Sequence, residues 1–297
     1  MQINQENLEI LFAGFKAAFN EGLGEIENTR DRIATTIRSE TSEEHYGWLK
    51  GLPNVREWLG DRVVNSFALG DYAIKNRDFE LTVSVPANAI RDDKYGVMAP
   101  KMRVMGESVS AHREQLVWDL FAAGFTGSCY DGKPFFATDH PVLDKDGTPQ
   151  PVANTDGGSG AAWFLIDTSR ALKPIILQTR QDYDFVALTD KNDQQVFWKN
   201  EYVYGVHGRE NAGFGFWQVA WGSKQELNET SYGDARAAMM KMTTDYGRKL
   251  GLKPRLLVVG PDMEHRALEL IKADKVTGGG SNVYRDSVEL VVVPWLA

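Results

Sequence analysis

Asp139-His140 is the best acid/base pair by adjacency in this sequence, and Cys129, its only cysteine, is the one candidate thiol nucleophile. A hydrolase would set Cys129 against one of the five histidines, with Asp139 and His140 as its acid/base groups. Neighbours in an extended chain do not face one another, however, and no third ligand follows at metal spacing. Gly213-Phe214-Gly215 lacks the remaining glycine and the strand-to-helix context of a dinucleotide loop, so close backbone approach within a sheet is expected. Gly278-Gly279-Gly280-Ser281 has no Lys-Ser/Thr after it, so it reads as a loop and not a phosphate cradle. The Asn228-Glu229-Thr230 sequon matters only in a secreted chain. These residues give catalysis no support, and no cofactor or metal is expected.

Composition narrows the remaining classes. Apolar content of 42% and charged content of 25% are those of a globular protein of one large domain or two small ones. A net charge of −8 argues against a protein built to grip nucleic acid, which needs clustered Lys and Arg. A single cysteine permits no intrachain disulfide and suits a reducing cytoplasm. No long apolar run spans a membrane, and the N-terminus lacks the pattern of a signal peptide.

The elements are organised around a long helix. Pro100 suits a first helical position, and Met102, Met105, Val109, His112, Leu116, Leu120 and Ala123 recur at helical spacing. Arg103, Glu107, Ser110, Arg113 and Glu114 fall on the polar side, and Gly124 and Gly127 supply stops. From Ala99 to Gly124 such a rod reaches roughly 39 Å. Ahead of it, Asn4 is a plausible N-cap for a front helix with an apolar stripe of Leu8, Leu11, Phe12, Phe15 and Phe19. That stripe docks either on its own core or on another subunit. Thr29 to Ser39 reads as an extended arm, and Tyr46 to Leu59 as a short helical patch broken by Gly51 and Pro53.

Val63 to Val85 reads as β-structure. Tyr72 and Ile74, the turn Asn76-Arg77-Asp78, and the alternation of Phe79, Leu81, Val83 and Val85 suggest a hairpin. Two strands alone are marginal in water and need a surface to lie on. Beyond the long helix, strands are expected at Trp163–Asp167, Pro174–Thr179, Asp184–Leu188, Glu201–Val206 and Phe214–Trp221. A helix over Ser231–Tyr246 and a strand–helix–strand unit at Arg255–Val259, Asp262–Ala273 and Val288–Val293 complete an α+β chain without internal repeats.

Four stretches carry a family resemblance. Gly127 to Pro141 (GSCYDGKPFFATDHP) resembles the signature of the Mu-like major head subunits, the major capsid proteins of tailed phages and prophages. Ile90 to Gly96, Glu201 to Val206 with Gly213 to Trp217, and Gly247 to Pro254 into Leu256–Val259 resemble it in collinear order. The resemblance implies a Hong Kong 97-like major capsid fold. It divides the chain into an N-terminal arm (1–52), an extended β-hairpin loop (53–96), a peripheral domain (97–226) with a spine helix (97–125), and an axial domain (227–297). It implies self-assembly into hexamers and pentamers of an icosahedral head that encloses double-stranded DNA without sequence specificity.

The implied partners are a scaffold or protease protein, a portal protein and a decoration protein. Assembly would occur in the bacterial host cytoplasm, and the product would be the virion capsid. Arm and hairpin would lie over neighbours, making Leu8, Leu11, Phe12, Phe15, Phe19, Tyr72, Ile74, Phe79 and Leu81 the expected inter-subunit contacts. A front helix that begins so near Met1 suggests that scaffolding comes from a separate protein. Lys75 sits where some relatives place a cross-linking lysine, but no Asn or Glu partner is evident, so a solvated turn lysine is expected. A nanocompartment shell of the encapsulin type is the alternative within the same fold.

Overall fold

Asn4 caps the front helix, Gln5–Leu23, by accepting the Asn7 amide at 2.8 Å. The structure, a computed structural model, describes residues 4–49, 72–92, 95–190, 192–275 and 279–297. The expected patch at Val55, Trp58 and Leu59, the 52/53 boundary and the start of the Val63–Val85 run lie outside the described residues, as does Gly278.

The stripe of the front helix is buried in its own subunit. Leu8, Leu11, Phe15 and Phe19 join Met102, Met105 and Val109 of the long helix and Phe185, Tyr202 and Tyr204 of two long strands in one core. Phe12, half-buried, meets the Phe185 ring at 5.6 Å. Each such side chain contributes about 1.5–3 kcal/mol on full burial. The helices approach through glycine: a methyl on Gly22 would overlap the Arg103 carbonyl, and one on Gly106 would overlap that of Phe19. Arg103 also pairs with Glu21 across the crossing.

The spine helix runs over Tyr95–Ala122, 28 residues or about 42 Å. It begins before the expected start, and Pro100 lies inside it. As the sixth helical residue it cannot donate to the Gly96 carbonyl one turn back, yet the helix continues past it. The buried seam follows Met102, Met105 and Val109 as expected, then shifts to Val117, Trp118 and Phe121, whereas Ala123 is exposed. Glu114, expected on the polar side, is fully buried. It accepts the Thr29 hydroxyl (2.6 Å) and amide (3.2 Å), the Arg30 amide (3.1 Å) and the Arg30 Nη1 (2.8 Å). Trp118 Nε1 also reaches it, at 3.3 Å.

Glu114 thereby fixes the chain where it leaves the front helix and enters the strand Ala34–Arg38. That strand lies parallel to the first half of Ile175–Leu188, in a four-stranded sheet whose other members are Glu201–Phe214 and Arg77–Pro86. The two long strands absorb the separate segments expected at 174–179 and 184–188 and at 201–206.

Among the described residues, the hairpin expected across Asn76-Arg77-Asp78 does not form. Ala73–Lys75 pairs antiparallel with Glu43–His45, while Arg77–Pro86 pairs with Glu201–Phe214. Asn76 between them is buried and acts as a pivot. Its Nδ2 donates to Ser39 Oγ and the Thr41 carbonyl, both at 2.9 Å, and its Oδ1 accepts from Gln178 at 2.8 Å. Gln178 in turn accepts from the Tyr46 hydroxyl at 2.8 Å. A side chain with partners on two remote segments holds the chain straight where a solvated Asn would turn it.

A second, five-stranded sheet runs in the order Glu289–Val292, Leu256–Val259, Trp163–Ile166, Ala220–Lys224, Thr155–Gly158. It draws strands from both sides of position 226. Helices Glu229–Lys241 and Glu264–Lys272 bury Tyr232, Ala235, Met239, Ala267, Leu270 and Ile271 in the core around it. Trp217–Val219 is a helical turn and not part of a strand, and Asn228 of the sequon serves as a helix N-cap. Gly213 and Gly215 sit against the Ile74 side chain and the Lys173 carbonyl, as close approach requires.

Gly106→Ala should therefore push the front helix off the spine and lower unfolding stability by about 1–3 kcal/mol in urea titrations. An unchanged midpoint and slope would show that the crossing is not tight.

Candidate functional site

The segment that carries the family signature folds into a knuckle at the end of the spine helix. The Cys129 amide donates to the Lys133 carbonyl at 2.8 Å and the Gly132 amide to the Cys129 carbonyl at 3.0 Å. Gly132 occupies φ 84°, a left-handed conformation that glycine adopts without strain. Phe135 and Phe136 then turn inward, their amides bonded to the Gly127 and Gly124 carbonyls, into an aromatic cluster with Phe121, Phe164 and Phe214.

Under this knuckle lies a buried polar knot. Asp131 accepts Cys129 Sγ at 3.1 Å through Oδ1 and His140 Nδ1 at 2.6 Å through Oδ2. His140, fully buried, turns its other nitrogen to Asn154 Oδ1 at 3.2 Å and stacks on Trp217 at 3.8 Å between centroids, 7° from parallel. Asn154 is oriented by its own bonds: its Nδ2 donates to the Phe135, Trp217 and Ala220 carbonyls, and its Oδ1 accepts the Ala137 amide. Both ring nitrogens of His140 thus lie within hydrogen-bond distance of side-chain oxygens.

This arrangement does not activate the thiol. The carboxylate stands between sulfur and imidazole, and neither ring nitrogen is bonded to the sulfur. Burial, and then the Asp131 charge, push the Cys129 thiol far above its ordinary pKa. Burial raises the Asp131 carboxyl, but hydrogen bonds from His140, Cys129 and the Lys133 amide outweigh it and hold the group below its ordinary value. Asp139 is apart from the knot, ion-paired with Lys133 near the surface. The ligand atoms of Cys129, Asp131 and His140 lie within 4.8 Å of one another, a set of donors that suits a transition metal. Hydrogen bonds inside the knuckle already engage each of these side chains. Asp131 lies within the signature two residues from Cys129 and was open to notice; Asn154 and Trp217 reach the knot only through tertiary folding.

The expected inter-subunit residues are engaged within the subunit. Besides the front-helix stripe, Ile74 is buried against Gly213, and the Tyr72 hydroxyl accepts the Phe214 amide at 2.6 Å. Phe79 lies over the His112 ring of the spine at 4.3 Å, and Leu81 packs on the core beneath the front helix. Burial holds the His112 imidazole below its ordinary pKa. Within one subunit the spine and the sheet thus cover Leu8, Leu11, Phe15, Phe19 and Ile74, while Phe12, Tyr72, Phe79 and Leu81 keep part of their surface open. Among the described residues the most exposed large aromatics are Trp198 (78%) and Phe197 (70%), on the short helix Gln194–Lys199. The sequence reading passed over them, although two adjacent aromatics inside the polar run from Asp190 to Asn200 were a usable signal.

Known proteins match this architecture over nearly its whole length. The family model described as Mu-like prophage major head subunit gpT matches residues 8–296. The Mu-like prophage FluMu major head subunit of Haemophilus influenzae is 36% identical over 279 residues, covering 92% of this chain and 91% of that protein. The major capsid protein of Escherichia phage Mu is 34% identical, with 100% of both chains covered. Among solved structures, a subunit of the procapsid of bacteriophage JBD30 superposes with a TM-score of 0.88 at 40% identity, covering 99% of this chain and 100% of its own. A chain of the JBD30 capsid decorated with minor capsid protein trimers gives 0.77 at 29% identity, with 93% of each chain covered.

The knot predicts a loss of stability when it is opened. His140→Ala leaves the buried Asp131 carboxylate without its partner and should cost about 3–5 kcal/mol in denaturant titrations. A loss below about 1 kcal/mol would mean that the pair is not desolvated as the geometry requires. The signature segment is thus built as a structural clasp at the end of the spine, in a chain whose Hong Kong 97-like fold and sequence match phage head proteins from end to end; the chain belongs to the Mu-like prophage major head subunit family.

Proposed function

We propose that this head subunit assembles with copies of itself into hexamers and pentamers, and that these close into an icosahedral shell around double-stranded DNA. The observation that carries this reading is the agreement with the JBD30 procapsid subunit over 99% of the chain. Each contact can be modest, because closure of the array multiplies weak heterologous contacts into a stable shell. The net charge of −8 supports an inner wall that does not hold packed DNA tightly. The knot, with a buried thiol whose pKa is raised and no imidazole bonded to it, supports a structural role without catalysis.

In this reading the spine and the two long strands Ile175–Leu188 and Glu201–Phe214 form the peripheral domain, to which the arm adds Ala34–Arg38 and the extended loop Arg77–Pro86, and the five-stranded sheet forms the axial one. The axial domain then takes in Thr155–Ile166 and Ala220–Lys224 besides residues 227–297. Residues 1–52 remain the arm and 53–96 the extended loop, the arm's helix being clamped to its own spine. A separate scaffold or protease protein and a portal complete the head in the host cytoplasm. The minor capsid protein trimers on the JBD30 capsid support a decoration partner here as well.

Electron microscopy and sedimentation of the full chain, expressed with and without its head-assembly partners, test the proposal. Rings and closed shells of uniform diameter are expected. A chain that remains a monomer with all of those partners present would contradict it.

A further inference from the structure

We propose that Phe197 and Trp198 of one subunit seat in the groove between the front helix and the long strand Ile175–Leu188 of a second copy of this chain. The inference rests on the shell reading above and names a contact within it. The knob is built to stay outside. The helix Gln194–Lys199 is closed by Asn200 in a left-handed conformation (φ 54°), whose amide bonds the Val196 carbonyl at 3.0 Å and whose carbonyl accepts the Ala87 amide at 2.9 Å. Val196 packs inward on the core, which aims the next two residues outward. The two rings meet edge to face at 5.1 Å, so the knob is a preformed aromatic wedge and little rotamer freedom is lost when it docks.

The groove is the matching hollow. It measures about 850 Å³ and is lined by Leu8, Glu9, Phe12, Val186, Asp190 and Asn192 among others. Val186 at its edge is 54% exposed, and Leu188, two residues on along the same strand face, is 52% exposed. The subunit's own Trp198 does not fill the hollow, since 78% of it is exposed.

A second copy is the occupant that these observations favour. Exposed Glu9 and Asp190 mark the groove, and exposed Lys199 follows the wedge, so docking brings opposite charges together at the rim. Knob and hollow also lie on one lobe, since Asn192 lines the groove two residues before the helix that carries the wedge. Complementary patches at different places on one subunit make a heterologous contact, the kind that propagates around rings.

Two surface variants and a cross-link test this in the full-length chain. Trp198→Ser removes the wedge, and Val186→Glu blocks the hollow from the other side. Both should melt as wild type does, yet yield at least tenfold fewer particles, the chain accumulating as smaller species. In particles made from a mixture of Lys199→Cys and Glu9→Cys chains of different lengths, mild oxidation should give a disulfide-linked pair that contains one of each. Normal particle yield from Trp198→Ser, or particles without that mixed pair, would overturn the contact and leave the shell reading standing. Trp198→Ser shells that form fully but no longer hold a second protein would overturn the choice of a sister copy as occupant. Failure of the wild-type chain itself to make particles would overturn the shell reading and this contact with it.

Discussion

The structure depends on the crossing of the front helix and the incoming chain over the spine. Gly22 and Gly106 let two backbones touch where side chains would hold them apart, and the Phe15 and Phe19 rings fill the adjoining space. About two turns farther along the spine, Glu114 is a carboxylate with no exposed surface. A buried charge is tolerated only when its hydrogen bonds are satisfied. Thr29, Arg30 and Trp118 supply them, so the chain has one place to go when it leaves the helix. The residue just before Glu114 on the spine, Arg113, donates to Oε2 of the fully buried Glu210 at 2.9 Å and ties the helix to the sheet.

Both sheets follow from that placement. Fixing Thr29 and Arg30 sets the register of Ala34–Arg38 on Ile175–Thr179, and the Tyr46–Gln178–Asn76 network carries the constraint to the strand before Arg77. At the other end of the spine, Phe121 meets the rings of Phe135, Phe136 and Phe164, which joins the knuckle to the five-stranded sheet. The knot of Asp131, His140 and Asn154 then locks the knuckle. One helix thus couples two sheets through local clasps, a frame on which surface contacts can vary without disturbing the core.

Much of this was legible in the sequence because much of it is periodic. The spine, the front helix with its Asn4 cap, most strands of the second sheet and the terminal helices follow from residue spacing and capping. The misreadings have a common physical origin, in polar residues whose partners are remote in sequence. Glu114 looked solvated because its donors lie some 85 residues away. Asn76 looked like a turn because its partners, Ser39, Thr41 and Gln178, are nonlocal. The seam on the spine shifts after Val109 because the helix passes from one core to the other. The front-helix stripe was compatible with two docking partners, and only the glycines at 22 and 106, too small to be read from periodicity, decide for the spine.

The central consequence is that the folded subunit docks its front helix on its own spine. Hydrogen–deuterium exchange on the unassembled full-length chain tests this most directly. The account predicts that amides from Leu11 to Phe19 are as protected in the free subunit as those of Met105 to Val117 on the spine. Rapid exchange of the front helix in the free subunit, with protection gained only in assembled particles, would contradict it.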